Sequence, residues 1–336
     1  MISFNPFSNI PGVPTSQQLI DMAFGRASKI SIELPSKRDP LLMAKLREIR
    51  RIRTVASIIS DRLKSIVNGM PNLDSIHPFY RDLFCVMFDR DSYVKSLRNV
   101  SWASSMILKL SKKYVREIRG AMDPREAAKL RRAFYGRVSS IIDDIDEDLK
   151  FLSNLVKLRR LPSIDFNIPI IVVCGAPNVG KSSFVKCVST AEPEIAEYPF
   201  TTKNVSVGHI MGSHGVRAQI VDTPGLLDRP LNERNKIELQ AIAALKNLRG
   251  GVVFLIDPTE TCGYPLEYQL NVFKSVKEFF ADRILVIGLT KMDLASKDQI
   301  DKAVKLINYD KVYVCNSLNC IGTMEIVEYI LRSMGA

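Results

Sequence analysis

Ile168-Pro169-Ile170-Ile171-Val172-Val173-Cys174-Gly175-Ala176-Pro177-Asn178-Val179-Gly180-Lys181-Ser182-Ser183 is the stretch that decides the fold of the second half of this chain. Its unbroken apolar run suits a strand buried on both faces of a sheet. The G-x-x-x-x-G-K-S pattern at 175–182 follows at once and opens a helix. Its glycines let the backbone curl so that N–H groups converge on phosphate oxygens, at the helix end whose dipole favours anions. In that frame Gly175, Ala176, Pro177, Asn178, Val179, Gly180 and Ser183 form the cradle. Lys181 reaches the β- and γ-phosphates, and the Ser182 hydroxyl ligates Mg²⁺.

Three further segments have the spacing that such a loop needs. Val221-Asp222-Thr223-Pro224-Gly225 lies about 40 residues on, with Asp222 at the end of an apolar run. A carboxylate there holds Mg²⁺ opposite Ser182, and the Gly225 N–H senses the γ-phosphate. Thr290-Lys291-Met292-Asp293 follows a second apolar run. Asp293 can accept from N1–H and N2–H₂ of guanine, which adenine does not offer, and Lys291 lies along the base. Asparagine is usual where Thr290 stands, so an amide that would touch the base and brace the phosphate loop is missing. Asn316-Ser317-Leu318 is placed to offer a backbone N–H to guanine O6. Between the first two segments, Tyr198-Pro199-Phe200-Thr201-Thr202 carries a hydroxyl for closure on Mg²⁺, with Thr202 favoured and Thr201 the alternative.

Short apolar runs near 168–174, 204–211, 216–221, 251–257, 283–289 and 311–315 alternate with helical stretches near 181–190, 232–249, 266–281, 297–308 and 323–334. That alternation predicts a mostly parallel sheet with helices on both faces. The first half differs. Asp39-Pro40 and Asp123-Pro124 read as helix starts, and Glu126 as a capping-box partner. Apolar residues then recur every three or four positions, from Leu42 to Ile66 and from Leu130 to Leu158. With helices expected at 15–30, 79–98 and 99–120, the first half reads as an antiparallel bundle. The whole is an α+β multidomain chain: a helical bundle over 1–162, then a P-loop α/β domain over 163–336.

Charge follows the same division. The 336 residues carry 47 Lys and Arg against 36 Asp and Glu. Residues 1–162 hold 29 basic and 17 acidic side chains, a surplus of 12, and residues 163–336 hold 18 and 19. A basic bundle beside a neutral domain points to a polyanion, either nucleic acid or an anionic membrane. Arg131, Arg132 and Arg137 are candidate contacts. The six cysteines form no C-x-x-C pair, and none has zinc spacing with histidine. Reduced thiols in a cytoplasmic protein are the expectation. No apolar run is long enough to span a membrane, and residues 1–24 do not read as a signal peptide.

With these residues in place the chain resembles the Nog family of Obg-related, translation-factor-class GTP-binding proteins. The likeness runs through His77-Pro78-Phe79-Tyr80, Arg131 to Arg137, Pro199 to Lys203, Asp222 to Pro230 and Asp257 to Tyr264. It is to the short, archaeal-type members. The resemblance implies GTP/GDP and Mg²⁺ as ligands and hydrolysis of GTP that switches a step in large ribosomal subunit assembly. It also implies docking of the basic half on rRNA and the ribosomal precursor, with no DNA or membrane partner. Lys181, Thr202 and Gly225 would then serve the reaction. Leu226 stands where related enzymes place a water-orienting Gln, which implies slow intrinsic turnover. Asn178 matches a K⁺-binding Asn of some relatives and equally a loop-bracing amide. A GTP-dependent RNA-binding scaffold with negligible turnover is the alternative.

Overall fold

Asp39 and Asp123 each precede a proline, and each caps a helix. The computed structural model describes residues 5–31, 39–190, 192–199, 204–213 and 215–335. The Asp39 carboxylate accepts from Leu41 N–H, and that of Asp123 from Arg125 and Glu126. The prolines take the first helical position, where an N–H would have no partner. Glu126 reaches back to the Met122 N–H at 2.6 Å, one residue before the capping-box partner.

The chain divides into two units. One is Phe7–Asn72 with Phe88–Arg159; the other is Met1–Pro6, Leu73–Met87 and Arg160–Ala336. The first contains α1 (Ser16–Ser28) and α2 (Pro40–Gly69). Helix α3 (Pro78–Met87) belongs to the second unit, so a single cut after residue 162 does not describe the partition. The first unit continues with α4 (Arg90–Gly120), α5 (Pro124–Asp144) and α6 (Asp146–Asn154). The break expected near residue 98 falls instead at Asp89, whose carboxylate caps α4 through Ser92 N–H at 2.7 Å. No Gly or Pro stands near 98 to end a helix there. The long run from 124 breaks at Ile145, after which Asp146, Glu147 and Asp148 crowd the first turn of α6, where the helix dipole favours them.

Helix α2 packs against α1, α4 and α5. Ile52, Ile59 and Leu63 of α2, Val100 and Ile107 of α4, and Phe134 and Val138 of α5 are fully buried. Two core serines, Ser60 and Ser104, satisfy one another across the α2–α4 contact at 2.8 Å. The most costly polar group is Glu48, whose side chain is only 2% exposed. Arg131 meets it at 2.5 Å, Arg47 at 3.2 Å and Arg51 at 3.3 Å. Arg131 also lies 5.0 Å over the Tyr135 ring. Arg131 is therefore tied into the packing of this unit, while Arg132 and Arg137 are exposed, as are Arg50, Arg53, Lys112, Lys113 and Arg116.

The second unit is built on a seven-stranded sheet in the order β2-β3-β4-β1-β5-β6-β7. Its strands are β1 (Ile170–Cys174), β2 (Glu194–Ala196), β3 (Val205–Gly212), β4 (Gly215–Asp222), β5 (Gly250–Ile256), β6 (Leu285–Leu289) and β7 (Val312–Val314). β1 pairs in parallel with β4 and β5, then β5 with β6 and β6 with β7; β2–β3 and β3–β4 are antiparallel. The short strand β2 was not expected, because three residues are too few to show alternation. The connecting helices are α7 (Lys181–Val188), α8 (Lys236–Ala243), α9 (Leu266–Phe279), α10 (Lys297–Ile307) and α11 (Thr323–Ser333). The helix expected over 232–249 is only α8, flanked by 3₁₀ turns at Leu231–Glu233 and Ala244–Asn247. Val173, Phe184, Leu255, Val286 and Ile326 form the core between sheet and helices.

One cysteine expectation is overturned. Cys187 and Cys320, 133 residues apart, are disulfide-bonded with their Cα atoms 5.1 Å apart. The pairing is tertiary, so no local spacing announces it. Cys174, Cys262 and Cys315 are buried thiols, and burial pushes Cys315 up to about 11. Among the described residues no helix is long and apolar enough to cross a membrane.

Removing one partner of a buried ion pair leaves the others uncompensated. Glu48→Ala is expected to lower stability by about 3 kcal/mol, the low end for such a loss because its arginines keep some solvent. Arg132→Ala and Arg137→Ala should each stay within about 0.5 kcal/mol. Urea denaturation of the three variants makes the comparison.

Candidate functional site

Every segment singled out from the sequence, so far as it is described, follows the C-terminal end of a parallel strand. Gly175 follows β1, Asp222 ends β4, Thr290 follows β6 and Asn316 lies just beyond β7. In open α/β sheets that edge is where ligands bind.

The loop after β1 owes its course to glycine. Gly175 has φ +139°, and a Cβ there would lie 2.4 Å from the Leu255 carbonyl oxygen. Gly180 has φ +97° and Asn178 has φ 60°, both left-handed. Lys181 is buried, and its Nζ donates to the carbonyls of Gly175 at 2.9 Å and Ala176 at 2.8 Å. Ser182 Oγ donates to Asp222 Oδ2 at 2.7 Å, so the two expected metal-binding groups already meet. A hydroxyl and a carboxylate are hard oxygen donors, the kind Mg²⁺ takes together with phosphate oxygens and water. The donor set therefore fits Mg²⁺. Thr202 and Thr201 lie outside the described residues. Ser182 and Asp222 line one cavity of about 330 Å³ with Pro224.

A neighbouring cavity of about 270 Å³ gathers the expected base-binding groups. Asn178, Val179, Gly180 and Ser183 face it from the loop and α7, Thr290, Lys291 and Asp293 from the β6 end, and Asn316, Ser317 and Leu318 from beyond β7. The bracing thought lost with Asn at 290 is present. Thr290 Oγ1 donates to the Val179 carbonyl at 2.8 Å and the Ile256 carbonyl at 3.2 Å. Asn178 Nδ2 lies 3.5 Å from the Cys262 carbonyl, a loop-bracing position. The Leu318 N–H is taken by Asn316 Oδ1 at 3.0 Å, which holds that loop in its turn.

Two groups that hold the site were not singled out. Asp257, fully buried after β5, pairs with Lys291 Nζ at 2.8 Å. It also accepts from Thr259 N–H, Thr259 Oγ1, Cys262 N–H and Thr261 Oγ1. Lys291 in turn donates to Thr261 Oγ1 at 3.0 Å, and its own φ of 56° is left-handed. Burial pushes the Asp257 carboxyl up, but Lys291 and the hydroxyl and amide donors outweigh it and hold it below the usual carboxylate range. Asp257 ends an apolar run just as Asp222 does, and that shared signal was legible. The second group is Arg234. It donates to the Gly225 carbonyl at 2.8 Å and the Leu226 carbonyl at 2.9 Å, and pairs with Asp228 at 2.7 Å. The Gly225 N–H donates to Asp228 Oδ2 at 3.0 Å, so the loop after β4 is closed on its own carboxylate.

A carboxyl whose folded pKa is depressed stabilises the fold above its unfolded value and loses that contribution as pH falls through the folded one. Asp257→Asn should therefore cost about 3 kcal/mol at neutral pH. The gap from the unsubstituted protein should narrow as pH falls below about 4. Guanidinium denaturation at neutral and acid pH reads both.

Comparisons with known proteins agree with this arrangement. The profile of the NOG1 N-terminal helical domain matches residues 7–165, and that of nucleolar GTP-binding protein 1 matches residues 236–293. An uncharacterised protein of Methanocaldococcus jannaschii is 40% identical over 298 residues, 88% of this chain and 83% of that one. Nucleolar GTP-binding protein 1 of Drosophila melanogaster is 34% identical over 97% of this chain but 51% of its own length. The chain thus spans about half the length of the named relatives it matches. A solved structure described as nucleolar GTP-binding protein 1 of Plasmodium falciparum is 35% identical. It covers 52% of this chain and 92% of its own, with a TM-score of 0.45.

Proposed function

The chain belongs to the nucleolar GTP-binding protein 1 (Nog) family, and from that premise we propose that it binds GTP and GDP with Mg²⁺ and hydrolyses GTP slowly. The supporting observation is the convergence at one sheet edge of the 175–182 loop, the Ser182–Asp222 pair and the cavity flanked by Thr290, Lys291 and Asp293. Lys181 offers its ammonium to the β- and γ-phosphates. Ser182 and Asp222 hold Mg²⁺, which offsets charge on those phosphates when bound. Asp293 reads the guanine edge, with Lys291 fixed beside it by Asp257. Thr202 is the proposed switch hydroxyl, and the Gly225 N–H the proposed γ-phosphate donor, in exchange for Asp228.

Leu226 is buried and carries no group able to orient water. Unassisted turnover should then be slow, about 10⁻⁴ s⁻¹. The same observation favours the second reading, a GTP-dependent RNA-binding scaffold. In the proposed role the bound nucleotide switches a step of large ribosomal subunit assembly, and the exposed arginines and lysines of the helical unit dock on rRNA. Single-turnover assays with and without large-subunit particles separate the two: stimulation supports the switch, and its absence supports the scaffold. Running them in K⁺ and in Na⁺ tests Asn178 as a K⁺ ligand, with faster turnover expected in K⁺.

Hydrogen bonds to a charged acceptor contribute about 1.5–3 kcal/mol, or roughly ten- to hundredfold in affinity. Asp293→Asn should weaken GTP by that factor and favour xanthosine triphosphate, whose edge offers the complementary pattern. Competition binding with both nucleotides is the measurement, and unchanged GTP preference would place the base elsewhere.

A further inference from the structure

Residues 163–336 carry 18 basic and 19 acidic side chains, yet five of those cations gather in one place. Two adjoining cavities of about 370 and 460 Å³ share Phe280 and Arg283. Lys246 and Arg249 line the first, and Lys274 and Lys277 the second. Asp282 and Glu278 are the acidic residues among them, so the local balance is strongly positive. Gly250 opens β5 and Arg283 precedes β6, so this surface lies at the opposite end of the parallel strands from the phosphate loop.

Arg283 is the informative group. Its Nη2 donates to the Lys246 carbonyl at 2.7 Å, and its guanidinium lies 5.3 Å from the Phe280 ring centroid. Its Nη1 is buried and, among the described residues, has no hydrogen-bond partner. Burial lowers its pKa, and no neighbouring carboxylate offsets the effect. A buried donor left unmatched costs about 1–3 kcal/mol. A phosphate oxygen entering the cavity supplies the missing acceptor, in the planar geometry a guanidinium suits. Cations and rings also alternate along the surface: Lys246 lies 4.4 Å over Phe279, and Lys277 lies 5.0 Å over Tyr309. Five cations across two cavities exceed the need of a lone ion, and an acidic peptide has no use for the rings. A positively charged groove interleaved with aromatic side chains is the pattern that holds single strands.

We infer that this surface binds a single nucleic-acid strand, with phosphates at Arg283, Lys246 and Arg249 and bases against the half-buried rings of Phe279 and Tyr309. The site is separate from the rRNA contact proposed for the helical unit and does not require nucleotide to be bound. The test uses the full chain, a thiouridine-substituted single-stranded RNA and mass spectrometry of the photoadducts. Adducts are expected within Phe279–Arg283. The triple variant Lys246→Ala, Arg249→Ala, Lys277→Ala, all exposed positions, should lose at least about tenfold in adduct yield. Its log–log salt dependence of RNA binding should become shallower by about 2, at about 0.7 per lost phosphate contact. Adducts confined to residues 7–159, or an unchanged yield in the variant, would overturn the inference. So would equal displacement by inorganic phosphate or polyglutamate at matched ionic strength. GTP affinity of the same variant is read separately and should not change, so loss of RNA binding here is distinguishable from failure of the nucleotide site.

Discussion

Strands β1 and β5 approach so closely that no side chain fits between their backbones at two places. A Cβ on Gly250 would lie 1.6 Å from the Ile170 carbonyl oxygen, and one on Gly175 would lie 2.4 Å from that of Leu255. The two glycines stand at opposite ends of the same parallel pair, Ile170↔Gly250 at one end and Cys174↔Phe254 at the other. That pairing fixes where β1 stops, and with it where the loop to α7 must turn. Asp222 is held across from the loop because β4 pairs with the other edge of β1 in the register Val173↔Asp222. The site is thus a consequence of strand pairing at the sheet centre, and its side chains decorate a geometry the backbone sets.

Around that geometry the fold carries polar groups that a purely structural core would avoid. Asp257 and Arg234 are both buried, and each is satisfied by several partners. Buried charge is costly unless paired and hydrogen-bonded. Here each such group sits beneath a loop that faces the proposed nucleotide: Asp257 beneath Lys291, Arg234 beneath Gly225 and Leu226. Satisfied networks of this kind rigidify their surroundings. The helical unit uses the same device once, at Glu48, where three arginines converge on one carboxylate.

Much of this was legible before any coordinates. The phosphate loop, the strand-ending Asp222 and the 290–293 segment carry spacing rules that rest on local backbone chemistry, and the structure places them as expected. What was missed is tertiary. Arg131 reads as one more exposed cation until Glu48, on another helix, is seen beside it. Thr290 reads as a lost amide until its hydroxyl is found bracing Val179. Cys187 and Cys320 read as thiols because only the fold brings them together. Helix boundaries failed where a cap outranked periodicity, as at Asp89, and β2 was too short to leave a pattern.

Two surfaces at opposite ends of one sheet then divide the labour: a nucleotide edge built from loops, and a cationic face built around Arg283. The helical unit adds the chain's excess positive charge. All of this presupposes that the loop at 175–182 cradles a guanine nucleotide. Isothermal titration calorimetry of the folded chain with GTP, GDP and ATP in the presence of Mg²⁺ tests that most directly. The account predicts saturable heat with GTP and GDP and none with ATP at the same concentration. Absence of heat with both guanine nucleotides, or equal binding of ATP, would contradict it.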